Sequence, residues 1–386
     1  MKIAGQGFIH RGAPGGDRAI ATFPSVTVLE DGSLLAVYRV GPGKESDGSV
    51  TQLRRSTDGG LTWGPPAAPF SDILNGVRGS LQVVYITPLE PGRLMACTLW
   101  VNREAFPGKP LFNAETEGCL PMDILIAESR DRGVSWTAWR QVAMTSDVGP
   151  ASLTNPLLRF PGGRLAISIE TNKHYYDPSA WYQRVVYVDS DDGGESWSLP
   201  RTTCQDPSGT LFYWDQRAAI SKDGILGTFS WTYHKKENRY LNVSRRLSPD
   251  KGRTWTGPED LGFADQPSHP AILNDGAVVL AWVDRYGTQS IRARLAERID
   301  APFDAETEVV IYEAARQANA TGTTGEMLSD MARWSFGLPY AETLPSGDVL
   351  VVYYAGDSAA MDIRWARLTT SRTSARPGSC VAKSTS

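Results

Sequence analysis

The stretch Ser56–Trp63, STDGGLTW, is a tight acidic turn closed by a tryptophan, and the chain repeats it. SRDRGVSW starts at Ser129, SDDGGESW at Ser190 and SPDKGRTW at Ser248. All four fit S-x-D-x-G-x-[ST]-W, at spacings of 73, 61 and 58 residues. Spacings of that size match four-stranded propeller blades carrying long loops. Each position has a physical task. The aspartate accepts backbone N–H bonds within the turn. The glycine takes a positive φ. The hydroxyl residues close further local bonds, and the tryptophan buries a large ring between neighbouring sheets. The turns are therefore read as folding devices, not as catalytic groups.

A strand–glycine turn–strand unit precedes each acidic turn: Ser25–Arg39, Leu81–Trp100, Asn155–Glu170 and Arg217–Trp231. It recurs without an acidic turn at His269–Arg285 and Leu338–Tyr354. Six hairpins predict an all-β, six-bladed β-propeller formed by residues 1–370 as a single domain, with 371–386 as a disordered polar tail. The N-terminal segment Lys2–His10 is expected to supply the outer strand of the last blade and close the ring. Only Ala301–Ala320 shows weak helical periodicity.

The composition fits this class. The 386 residues are 41% hydrophobic and rich in glycine (37) and proline (25). A formal net charge of −4 points to neither nucleic acid nor a membrane surface as partner. The N-terminus lacks an apolar h-region, no stretch reaches the length of a membrane span, and four scattered cysteines form no CxxC pair. These features predict a cytoplasmic protein with free thiols and without metal or cofactor.

In an up-and-down blade the acidic turns share a face with the hairpin turns. The pocket is therefore expected on the opposite face, where first strands begin and second strands end. That face collects carboxylates, aromatics and basic groups, a mixture suited to a sugar: rings stack on apolar sugar faces and carboxyl groups do acid–base work. The candidate binding residues are Arg39, Arg78, Trp214, Arg217, His269, Arg285 and Trp334. His174, His234 and His269 map to the same face but are too dispersed to form a metal site.

The four acidic turns and the hairpins, over residues 18–368, resemble the sialidase (BNR/Asp-box) superfamily. The resemblance implies a six-bladed propeller that removes a terminal acidic sugar. That family has an Arg-Ile-Pro motif at the start of the first inner strand; Thr22-Phe23-Pro24 stands there. Its acid/base aspartate, in the loop before the first acidic turn, corresponds to Asp47. Its glutamate before the fourth-blade hairpin turn corresponds to Asp215. Its nucleophilic tyrosine falls near Leu338, and Tyr340 lies two residues on, on the same side of a regular strand. Arg217 and Arg285 fall near the regions of the two remaining carboxylate-binding arginines. The implied catalytic set is Asp47, Asp215 and Tyr340. Two other readings of the residues stay open: a polysaccharide lyase with a histidine or tyrosine base, and a non-catalytic glycan binder.

Overall fold

The computed structural model describes residues 1–44, 46, 48–315, 330, 331 and 333–370. Asp47 and the 371–386 tail lie outside the described residues. The fold is all-β with almost no helix; a 3-10 turn spans Ser146–Val148.

The strands form five hydrogen-bonded sheets of antiparallel meanders. The seven-stranded sheet joins the two ends of the chain. One meander runs Ile20–Val28, Leu34–Gly41 and Val50–Ser56. The other runs Phe336–Thr343, Val349–Gly356 and Met361–Thr369. They meet in a short parallel contact, Ile20 opposite Met361. Strand Lys2–His10 pairs antiparallel with Met361–Thr369, so the first strand of the chain completes its last meander. The segment read as weakly helical differs from expectation. Phe303–Glu313 is a strand paired with Ser290–Ala296, and the ladder to that neighbour overrides the local periodicity. Residues 316–320 lie outside the described residues.

Second strands read as nearly unbroken apolar runs because both of their faces are covered. Leu34–Gly41 is buried at every position, and Val278–Asp284 at all but its last. Their side chains mesh between successive meanders, as where Leu35 and Val37 join Val84, Leu94 and Ala96. Each such aliphatic side chain contributes roughly 1.5–3 kcal/mol on burial.

The acidic turns repeat one hydrogen-bond pattern. In the first, the Asp58 carboxylate accepts the Leu61 and Thr62 N–H groups and the Ser56 and Thr62 hydroxyls. The Ser56 hydroxyl oxygen accepts the Gly60 N–H at 2.9 Å, and the Trp63 indole donates to the Gly60 carbonyl at 3.1 Å. Asp131, Asp192 and Asp250 repeat the carboxylate's role. These donors hold Asp58 and Asp131 at about 2, below the ordinary 3.8. The fifth-position glycine is required twice over at Gly194. Its φ is 93°, and a Cβ there would stand 2.6 Å from Met95 Cε of the preceding meander.

Each turn is also clasped by an arginine of the preceding meander. Arg367 donates to the Gly59 carbonyl, Arg55 to Arg132, Arg140 to Gly194 and Arg201 to Gly252. The hairpin turns reach the same face: Glu30 accepts the Gly92 N–H and pairs with Arg132. Acidic turns and hairpin turns thus share one side, as the sequence predicts. Cys97, Cys119 and Cys204 are buried free thiols.

The turns should carry acid sensitivity. A depressed carboxylate contributes stability that is complete above 3.8 and is lost as pH falls through the folded-state value near 2. Asp58→Ala is expected to lower Tm by about 2–6 °C at neutral pH and to weaken the fall in Tm between pH 4 and 2. Scanning calorimetry across that range checks both. A variant that melts with the wild type at every pH would show that the turn does not hold the fold.

Candidate functional site

Four first strands break register: between Thr22 and Ser25, Leu81 and Val84, Trp214 and Arg217, and Gly337 and Tyr340. Three of the breaks hold a non-glycine residue at positive φ: Phe23 (53°), Asp215 (45°) and Leu338 (46°). An L-residue adopts that conformation at a cost, and such positions cluster at functional sites. All three line the same depression, with Gln82 from the fourth break.

The depression has three adjoining lobes that share Phe112, Asp215 and Met331. The first, of about 720 Å³ and open to solvent, adds Tyr85, Ser152, Thr154 and Arg217. The second adds Arg39, Lys44, Gln266, Trp334 and Tyr354. The third adds Glu170, Asn172, Trp181, Trp214 and Trp231. The loop after Asn102 brings Leu111 and Phe112 over the lobes. It is fixed by the Asn113 side chain donating to the Tyr175 carbonyl at 3.0 Å and by an ion pair between Glu117 and Lys235 at 3.1 Å.

Asp215 stands where the lobes meet. Its side chain is 24% exposed, its Oδ2 accepts the Gln266 amide, and Arg217 lies 3.9 Å from its Oδ1. Behind it, Arg285 donates to Gln266 Oε1 at 3.2 Å and to the Phe336 carbonyl at 3.0 Å. Glu170 is a second carboxyl group in the wall. It accepts the Gln216 N–H at 2.8 Å. Burial, reinforced by the charge of Asp215, raises its pKa well above the ordinary glutamate value.

The sequence-derived residues divide between wall, floor and rim. Arg39, Asp215, Arg217, Trp214 and Trp334 line the lobes. Tyr340 is buried at the bottom, stacked on His269 at 4.7 Å and on Tyr85 at 6.0 Å. Leu338 and Tyr340 both line the first lobe, Tyr340 the more deeply buried of the two. Burial raises the Tyr340 phenol well above its ordinary value and lowers His269 to about 3, leaving that imidazole neutral. Arg285 lies behind the lobes with its guanidinium 3.9 Å from the Trp334 ring centre. Arg78 sits at the rim, its side chain 73% exposed and paired with Asp72 at 3.8 Å; it lines none of the three lobes. His174 and His234 line none of them either. Lys44 and Glu170 are absent from the candidate set, although both fall on the predicted face. Their signal was position alone, shared with many rim residues.

No family model matches the chain. A sialidase of Micromonospora viridifaciens is 30% identical over 191 residues, which is 45% of this chain and 28% of that protein. The match thus spans less than a third of that relative. Among solved structures, a protein of unknown function from Dyadobacter fermentans superposes with a TM-score of 0.70 at 21% identity, covering 95% of this chain and 99% of that one. The intramolecular trans-sialidase of Ruminococcus gnavus gives 0.62 at 14%, covering 96% and 98%. An α-L-arabinanase of Penicillium chrysogenum gives 0.62 at 16%, covering 95% and 98%. The fold is sialidase-like, and it is shared by proteins named for different sugars.

The buried acid gives a pH signature. A carboxyl group whose folded-state pKa is raised keeps its proton in the folded chain, so its stability is complete below the ordinary value of 4.5 and is lost as pH rises above it. Glu170→Gln removes that titration. The Tm of the variant, measured against wild type, is expected to improve steadily from pH 5 to pH 9. A constant difference across that range would refute the assignment.

Proposed function

We propose that the chain is a glycoside hydrolase acting on a terminal sugar held in the three-lobed depression, on a six-bladed propeller. The observation that carries this reading is Asp215, a partly exposed carboxylate on a strained bulge where the lobes converge, fixed by Gln266 and Arg217. A structural ion pair has no need of a positive-φ position facing a cavity.

Hydrolysis needs a proton for the leaving oxygen and a carboxylate at the sugar's C1. Asp47 is assigned the first role, following the family pattern; Lys44, three residues before it, lines the second lobe. Asp215 takes the second role, either attacking C1 or withdrawing a proton from the attacking water. As the C1–O bond breaks, the leaving oxygen takes the donor's proton. Glu170 is the rival donor, because it lines the third lobe and retains a proton above the ordinary range. Tyr340 lines the first lobe but is buried there, its phenol raised well above the ordinary value, and it is assigned to shaping the lobe and not to attack. The neutral, buried His269 and the remote His174 and His234 give little support to a lyase base.

The test is a glycan panel with product analysis. Release of reducing sugar supports the hydrolase, and an unsaturated product absorbing in the ultraviolet would replace it with a lyase. Asp215→Asn is expected to cut turnover at least about 100-fold with Tm within about 2 °C of wild type. Asp47→Asn and Glu170→Gln then identify the donor by which one loses comparable rate. Near-normal turnover in Asp215→Asn would overturn the proposal.

A further inference from the structure

We propose that the sugar bound in this depression is uncharged, in contrast to the acidic sugar implied by the sialidase resemblance. The inference rests on the hydrolase reading only for its use of the same site. It starts from how the charged groups in the wall are engaged.

Among the described residues, three cations line the lobes, and each is turned onto the protein. Lys44 Nζ donates to the Met331 carbonyl at 2.8 Å, to the Trp334 carbonyl at 2.7 Å and to the Tyr354 hydroxyl at 3.2 Å. An ammonium has three donors, so these partners occupy them all. Arg39 directs one Nη to Gln82 Oε1 and the other to the Lys44 carbonyl at 2.6 Å. Arg217 directs Nη1 to the Tyr85 hydroxyl at 2.7 Å and to the Thr154 carbonyl, with Nη2 3.9 Å from Asp215. A sugar carboxylate is gripped best by a guanidinium fork that presents two parallel N–H groups to it. These guanidiniums, though part of the lining, instead direct their donors to acceptors of the wall itself.

The groups that do face the cavity disfavour an anion. Asp215 brings a negative charge to the meeting point of all three lobes, and Glu170 adds a second carboxyl group to the third. A ligand carboxylate at that meeting point would lie against the Asp215 charge, while the lining cations already direct their donors to acceptors of the protein, which is a means of excluding a partner. The rest of the wall is apolar. Phe23, Leu111, Phe112, Met331 and Leu338 surround Asp215, and Trp181, Trp214 and Trp231 close the third lobe. Such surfaces stack on the apolar face of a pyranose or furanose ring, while the Ser152 hydroxyl and the Asn172 side-chain carbonyl offer neutral partners to hydroxyl groups. Thr22 and Phe23 are decisive. Thr22 lines the second lobe at the position where the resembling family places an arginine, and Phe23, at that motif's isoleucine position, occupies a bulge that aims its side chain into two lobes.

The experiment titrates the full wild-type chain with non-hydrolysable methyl thioglycosides in matched sets: a hexoside, its uronate and the methyl ester of that uronate, with N-acetylneuraminic acid as a further acidic probe. Binding is read by calorimetry and by quenching of tryptophan fluorescence. At least one neutral hexoside is expected to bind about 10-fold or more tightly than its uronate, and the methyl ester is expected to recover the loss. Phe23→Arg, with melting and circular dichroism unchanged, is expected to raise uronate affinity about 10-fold and to leave neutral affinity within about 3-fold. Equal or tighter binding of the uronate or of N-acetylneuraminic acid to wild type overturns the inference, as does failure of every neutral member to bind. A folded Phe23→Arg chain with unaltered uronate affinity removes Phe23 as the determinant. Binding of neutral sugars without turnover of the corresponding oxygen glycosides would defeat the hydrolase and leave this inference standing; turnover that prefers acidic glycosides would do the reverse.

Discussion

The fold depends on a small closed circuit of hydrogen bonds. An aspartate five residues before a tryptophan collects backbone N–H groups that a tight turn would otherwise leave unpaired. The turn then presents its own carbonyls outward, and an arginine of the preceding meander takes them: Arg367 at Gly59, Arg55 at Arg132, Arg140 at Gly194 and Arg201 at Gly252. The same turn thus finishes one meander and fastens it to its neighbour. The glycine that permits the turn also admits the neighbour's side chain, as Met95 does against Gly194. Around that face the apolar second strands are pressed together with both sides covered. At the seam, strand Lys2–His10 lies on Met361–Thr369, joining the two ends of the chain.

With one face secured, the other can bear irregularity. The first strands break register at Phe23, Gln82, Asp215 and Leu338. Three of those breaks place a side-chain-bearing residue at positive φ, an unfavourable conformation that persists only where the surrounding ladder determines it. Residues flanking each break rejoin a regular ladder within a few positions, as Ser25 does opposite Val37 and Ala341 opposite Val351. The strain stays local, and each break turns one side chain toward the depression. Arginines in and behind this wall act as braces: Arg217, in the lining, ties Thr154 and Tyr85 together, and Arg285, behind it, ties Phe336 to Gln266.

What could be read from the sequence follows the same division. The acidic turns, the hairpins and the closing strand are local patterns whose physics is complete within a dozen residues, and they were legible. Wall and floor were not. Reading Tyr340 as a partner of Leu338 assumed alternation with period two; a bulge interrupts it, yet both residues line the first lobe, Tyr340 the more deeply buried. A signal was present: Pro24 and Pro339 sit inside otherwise strand-like runs, where proline marks an edge or a bulge. Arg78 and Arg217 looked alike as basic residues near the rim, yet one is exposed beside Asp72 and the other is buried under Asp215. Glu170 lies near the end of the strand Leu165–Thr171, and its pKa is raised by burial and further by Asp215 from another meander, surroundings no local window contains. Residues 303–313 misled in the opposite sense, because the weak helical pattern yields to the ladder with Ser290–Ala296.

These observations explain how one scaffold can carry different sugars. The three positive-φ positions fall at or beside places where the sialidase pattern puts an arginine, a glutamate and a tyrosine; this chain has Phe23, Asp215 and Leu338. The register breaks that aim these residues are made by the backbone ladder and by neighbouring prolines, so they do not require a particular side chain at the tip. A substitution there changes charge, reach and shape in the cavity while the acidic turns on the far face keep their bonds. Threonine in place of arginine beside the Phe23 bulge removes a carboxylate's partner, aspartate in place of glutamate withdraws the carboxyl group by one methylene, and leucine in place of tyrosine removes a hydroxyl. Fold similarity does not fix substrate identity, and on the proposed reading the side chains at these three bulges, not the strands beneath them, specify the ligand.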